Sequence, residues 1–146
     1  MPTDMTLSRR NTSFDPDAKL LVACLCASWC GTCRDYRDAF SGLAKTFPDA
    51  AFIWLDVEDD AELVGDLDVE NFPTLLIQRD EAVLFFGVML PDVKQLKRLI
   101  QALGSQSADE VADYIQSSTE RRMWQSECNL RQRLRERELS DEVGGK

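Results

Sequence analysis

The sequence predicts an α/β domain, a central mixed β-sheet flanked by helices, followed by a charged helical C-terminal extension. Three observations carry this. Short aliphatic runs alternate with amphipathic stretches as far as Gly104, the pattern of a sheet with helices packed on it. Two cysteines, Cys30 and Cys33, stand two residues apart where the first aliphatic run gives way to the first amphipathic stretch. Beyond Gly104 the chain turns polar and its apolar residues become scattered.

The elements follow in order. LLVACLC after Lys19 is aliphatic and bounded by charge on one side and the cysteine pair on the other, as a strand buried on both faces would be. Tyr36, Phe40, Leu43 and Phe47 then form one apolar stripe of a helix that Pro48 ends. AAFIWLDV, residues 50–57, is a second strand, and the helix between makes the two strands parallel neighbours. An acidic segment with Leu63, Val64 and Leu67 predicts a short helix. Residues 74–78 and 82–86, separated by Arg79-Asp80-Glu81, predict a hairpin closed by Gly87. Pro91-Asp92 opens a last helix that places Val93, Leu96, Leu99, Ile100 and Leu103 on one face and stops at Gly104.

This organisation divides the chain into an N-terminal arm over 1–13, one domain over 14–104 and an extension over 105–146. The extension reads as helix. Val111, Ile115, Met123, Trp124, Leu130 and Leu134 are too sparse for a core of its own, so it packs on the domain, meets a partner or stays partly disordered. Its RLRERE charges read as a solvated helix face, and its lone Cys128 as a thiol without a function.

Composition narrows the function. The 146 residues are 44% hydrophobic and 29% charged, and no apolar run approaches the ~20 residues of a membrane helix. The net charge of −9 argues against binding to nucleic acid or to an anionic membrane surface. The arginine pair Arg9-Arg10 has no apolar segment behind it, so a cytoplasmic location is expected. In that reducing compartment a close cysteine pair serves catalysis or metal binding rather than stapling. The chain has no histidine, which excludes Cys-His catalysis and every histidine metal site. Cys24, Cys26, Cys30 and Cys33 together form a CxCx3CxxC pattern that could ligate zinc or an iron-sulfur cluster. Burial of the strand that carries Cys24 and Cys26 argues against it, so both are expected as buried apolar groups, with no metal and no cofactor.

Read in register, Trp29-Cys30-Gly31-Thr32-Cys33, Phe72-Pro73-Thr74 and Gly87 followed by an amphipathic helix resemble the thioredoxin family, over about residues 14–103. The resemblance implies a thioredoxin-like fold and a protein-disulfide oxidoreductase working through a Cys30–Cys33 dithiol/disulfide pair. A thiol at a helix N-terminus has its thiolate stabilised by backbone N–H groups, which suits Cys30 for attack on a disulfide. Cys33, one turn on, then resolves the mixed disulfide. Catalysis thus falls to Cys30 and Cys33. Substrate contact falls to Trp29, Gly31, Thr32, Phe72 and Pro73, the last after a cis peptide bond. Protein disulfides are the implied substrates, and a donor such as a thioredoxin reductase the implied partner. The competing reading is a binding or assembly module of the same fold with little redox turnover.

Four positions depart from the family pattern. Cys24 stands at the family's buried acid and Trp54 at the lysine that accompanies it. Thr32 replaces the proline between the cysteines, a change that the family associates with a shifted redox potential. Asp38 stands where many members carry a helix-kinking proline.

Overall fold

A strand buried on both faces belongs in the middle of a sheet, and residues 20–26 lie there. The computed structural model describes residues 11–13, 19–27, 30–58, 69, 71–89, 92–130 and 132–133. Five strands, β1 (Asn11–Ser13), β2 (Leu20–Cys26), β3 (Ala50–Asp56), β4 (Thr74–Arg79) and β5 (Ala82–Val88), form one sheet in the order β1-β3-β2-β4-β5. β2 runs parallel to β3, with Leu20 opposite Ala50 and Cys26 opposite Asp56. A parallel pair needs a crossover, and helix α1 (Gly31–Thr46) lies between them in the chain. β4 is antiparallel to β2 and pairs with β5 in a hairpin, where Asp80 turns with a φ of 51°, a left-handed conformation that aspartate tolerates.

One strand is not marked in the sequence reading. Asn11-Thr12-Ser13, placed above in an N-terminal arm, pairs antiparallel with β3. Three polar residues carry no alternation, so nothing in the sequence marks them as a strand.

Because side chains alternate across a strand, the sheet has two distinct apolar faces. On the first, Val22, Cys24, Cys26, Phe52, Trp54, Leu75 and Ile77 meet α1 and helix α2 (Val93–Gly104). The stripe expected on α1 is the buried one, with Tyr36, Phe40 and Leu43 turned inward. Phe40 packs edge-on against Phe52 and Trp54, at centroid distances of 5.3 and 5.6 Å. The helix runs without a break past Asp38, which is exposed. α2 starts at Asp92, whose side chain accepts the Lys94 N–H, and buries Leu96, Ile100 and Leu103.

The extension reaches both faces, with Val111 joining the first cluster and Trp124, Cys128 and Leu130 the second. Helices α3 (Ala108–Ile115) and α4 (Thr119–Glu127) follow α2, each opened by a serine cap, Ser107 and Ser118. α4 crosses β5, and Trp124, Cys128 and Leu130 join Leu21, Leu25, Ile53, Leu55, Leu76 and Val83 in one cluster. Leu130 has no exposed surface. Of the fates open to the extension, its described part packs on the domain: it borrows an existing apolar sheet face instead of building a core. The helix expected around Leu63, Val64 and Leu67 lies outside the described residues.

Candidate functional site

β2 ends at Cys26 and α1 begins at Gly31, and the cysteines gather at this junction. Cys30 is the N-cap residue of α1, in extended conformation, its N–H donating to the Ala27 carbonyl at 3.0 Å. It is half-buried, and its sulfur makes no capping bond to the first helical turn. Gly31 and Thr32 are exposed on the first turn. Cys33 is buried on the inner side of that turn.

Cys33 is bonded to Cys26, not to Cys30. The Cα atoms of Cys26 and Cys33 are 5.9 Å apart, while Cys24 and Cys30 remain unbonded thiols. The disulfide present in this structure is thus not the expected Cys30–Cys33 pair, and the assignment of Cys26 to packing alone is corrected. The reason is orientation. Cys26 projects from β2 onto the face that α1 covers, and Cys33 projects from α1 onto the same face, so their sulfurs meet in the core. Cys30 stands at the rim.

Cys24 behaves as expected for a buried apolar group. It has no exposed surface, lies opposite Trp54 on β3 and Leu75 on β4, and its Sγ is 3.8 Å from that of Cys26. Burial pushes its ionisation up, which keeps it a neutral thiol. Trp54 is covered in turn by the Arg37 guanidinium, 5.4 Å above the ring. Near them the Tyr36 hydroxyl is buried without a hydrogen-bond partner among the described residues. Desolvation raises its pKa, and Cys24 and Asp92 raise it further.

The Phe72–Pro73 peptide bond is cis. Leu25 pairs with Thr74, so one further step of that register sets Pro73 beside Cys26. Pro73 is buried and Phe72 half-buried against the cluster that holds the disulfide. The turn is tied by the Thr74 hydroxyl donating to the Asn71 carbonyl at 2.7 Å and by the Met89 N–H donating to the Pro73 carbonyl at 3.3 Å. The structure thus brings Cys33, Phe72 and Pro73 around one core, with Cys30, Gly31 and Thr32 at its edge; Trp29 lies outside the described residues. Among the described residues no group of three or more cysteines or carboxylates is disposed to hold a metal ion. No helix among them is long and apolar enough to cross a membrane.

Sequence reasoning passed over Cys26 as a bonding partner. The one available signal is its place, four residues before Cys30 on the strand that feeds the helix.

Comparison with known proteins agrees with this geometry. The family model described as Thioredoxin matches residues 10–105. Thioredoxin H4-2 of Oryza sativa subsp. japonica is 30% identical over 101 residues, 68% of this chain and 74% of that protein. A Thioredoxin H-type of Oryza sativa subsp. indica is 39% identical over 64 residues, 44% of this chain and 52% of that protein. Among solved structures, a mutant thioredoxin from Halobacterium salinarum superposes with a TM-score of 0.56 at 29% identity, covering 63% of this chain and 80% of that one. A thioredoxin f2 complex with ferredoxin:thioredoxin reductase gives 0.55 at 25% identity, with 62% and 82% covered. With the strand order, the cis-proline turn and the cysteines at the head of α1, these similarities establish that the chain belongs to the thioredoxin family.

Proposed function

We propose that this chain is a thiol-disulfide oxidoreductase that reduces protein disulfides through Cys30 and Cys33, and that it works in the cytoplasm. The observation that carries this reading is a half-buried, unbonded Cys30 one helical turn before a cysteine, Cys33, that already forms a disulfide. In the proposed cycle the Cys30 thiolate attacks a substrate disulfide, one substrate sulfur leaves as a thiolate and takes up a proton, and a mixed disulfide forms. Cys33 then attacks Cys30, releasing the reduced substrate. This requires that the Cys26–Cys33 bond first be opened. The extended substrate lies against Phe72 and Pro73 and meets Gly31 and Thr32 on the rim, with Trp29 as a further proposed contact. Residues 14–104 carry this activity and 105–146 form the extension.

A reductase is the proposed electron donor, by analogy with the reductase complex among the structural relatives. Reduction of insulin by dithiothreitol, followed by turbidity, tests the reading. The wild-type chain is expected to accelerate it and Cys30→Ser to abolish the acceleration. A wild-type rate equal to that of dithiothreitol alone would overturn the proposal.

One observation favours the rival reading of a binding module: while Cys26–Cys33 lasts, no Cys33 thiol is available for resolution. Full acceleration after prior reduction of the protein excludes that module.

A further inference from the structure

We propose that Cys26 is a third redox cysteine of this site, and that Cys33 alternates between a rim disulfide with Cys30 and a core disulfide with Cys26. The inference deepens the oxidoreductase reading and rests on it.

The geometry has two parts. Cys33 is bonded to Cys26 across the strand-helix junction, and both residues are 1% exposed. Cys30 precedes Cys33 by three residues at the head of the same helix, about one turn, and packs against the cluster containing Cys26 and Cys33. Cys33 therefore stands between a partner at the rim and a partner in the core. A disulfide in the core is out of reach of a protein-sized reductant, whereas one that includes Cys30 is not.

The exchange is balanced without an external oxidant. In protein carrying Cys30–Cys33, the Cys26 thiol gives up its proton and its sulfur attacks Cys33 Sγ. The Cys26–Cys33 bond forms as the Cys30–Cys33 bond breaks, and the leaving electron pair stays on the Cys30 sulfur, which takes up the proton. One disulfide is lost and one is gained, so nothing is oxidised or reduced overall. Cys24, 3.8 Å from Cys26 and held as a thiol by burial, is placed to donate its S–H to the Cys26 sulfur in whichever state it takes. The consequence is an oxidised protein whose rim thiol, Cys30, is unbonded. The reverse attack, Cys30 on Cys33, returns the disulfide to where a donor can reduce it.

The test uses the full chain, oxidised with equimolar diamide and alkylated with iodoacetamide while folded. Tryptic cleavage after Lys19 and Arg34 yields peptide 20–34, whose fragment masses locate the label. The label is expected on Cys30. Oxidised Cys26→Ala should lose it, because Cys30–Cys33 has no further partner to pass to. Oxidised Cys30→Ser should still form a disulfide, leaving Cys26 and Cys33 both unreactive after unfolding. Oxidised wild type with Cys30 protected and Cys26 reactive on unfolding would overturn the proposal. So would Cys30→Ser that alkylates at both Cys26 and Cys33. Failure of the oxidoreductase reading shows up separately, as wild-type protein that does not accelerate insulin reduction whatever its labelling pattern.

Discussion

The side-chain amide of Gln125 pairs with the backbone of Val83 on both sides, donating from Nε2 to the carbonyl and accepting the N–H at Oε1, each at 2.8 Å. β5 is the last strand of the sheet, and its outer edge would otherwise present unpaired groups. One glutamine from α4 thus does for Val83 what a neighbouring strand would do. Nearby, Gln78, fully buried on β4, accepts the Leu130 N–H at 3.0 Å and donates to Asn129 Oδ1 at 2.6 Å. The extension is held by these polar clamps as well as by apolar cover.

Removing the extension should therefore destabilise the domain. Leu130→Ala is expected to cost about 2–5 kcal/mol, as truncation of a fully buried leucine does. Gln125→Ala is expected to cost about 1 kcal/mol through the two lost bonds. Denaturant unfolding measures both, and truncation after Gly104 should cost more than either. A truncated chain with the midpoint and cooperativity of the full one would show that this cover contributes nothing.

The division of roles between the two motif cysteines has its own signature. Cys33→Ser should accumulate mixed disulfides with its substrates, visible as higher-mass bands on non-reducing gels, because nothing at that position resolves them. Cys30→Ser should show none. Equal trapping by both variants would refute the assignment of attack to Cys30.

Burial of Cys24 predicts an alkaline loss of stability. Its pKa is raised in the folded chain, so the folded state keeps the proton while the unfolded thiol ionises around its ordinary value of 9.0. The unfolded state thus binds fewer protons at high pH, and stability, constant with respect to this group below that value, falls as pH rises past it. The slope is at most about 1.4 kcal/mol per pH unit for one group. Tyr36, raised from its ordinary 10.0, steepens the fall at higher pH. Urea unfolding across this range should show Cys24→Ala with the shallower onset; an unchanged onset would mean that Cys24 ionises as readily folded as unfolded.

Tyr36→Phe should stabilise the protein by about 1 kcal/mol, since it removes a buried hydroxyl that has no partner while keeping the ring. The ring packs beside Phe40 at a centroid distance of 6.2 Å. Thermal or denaturant midpoints check this, and a loss of similar size would mean that the hydroxyl is bonded in solution.

Much of the fold is legible in the chain itself. The runs that become β2 and β3 announce double burial by unbroken aliphatic content, and α1 and α2 announce themselves by stripes of helical period, because these patterns are local consequences of backbone geometry. The cis bond at Pro73 and the place of Cys30 at the head of a helix follow from motifs read in register. β1 is not legible, since three polar residues become a strand only because β3 offers them an edge.

The sequence by itself determined which residues are apolar, where β2, β3, α1 and α2 start, and which cysteines stand at the junction. The tertiary structure alone decided which sulfur Cys33 meets and what covers the second face of the sheet. A disulfide depends on how two Cβ vectors converge across a strand and a helix, and spacing along the chain does not encode that direction. The extension carries too few apolar residues to predict a core, yet Trp124, Cys128 and Leu130 suffice because the sheet already supplies the other half of the contact. Burial is a property of two surfaces brought together, and a sequence read one segment at a time contains only one of them.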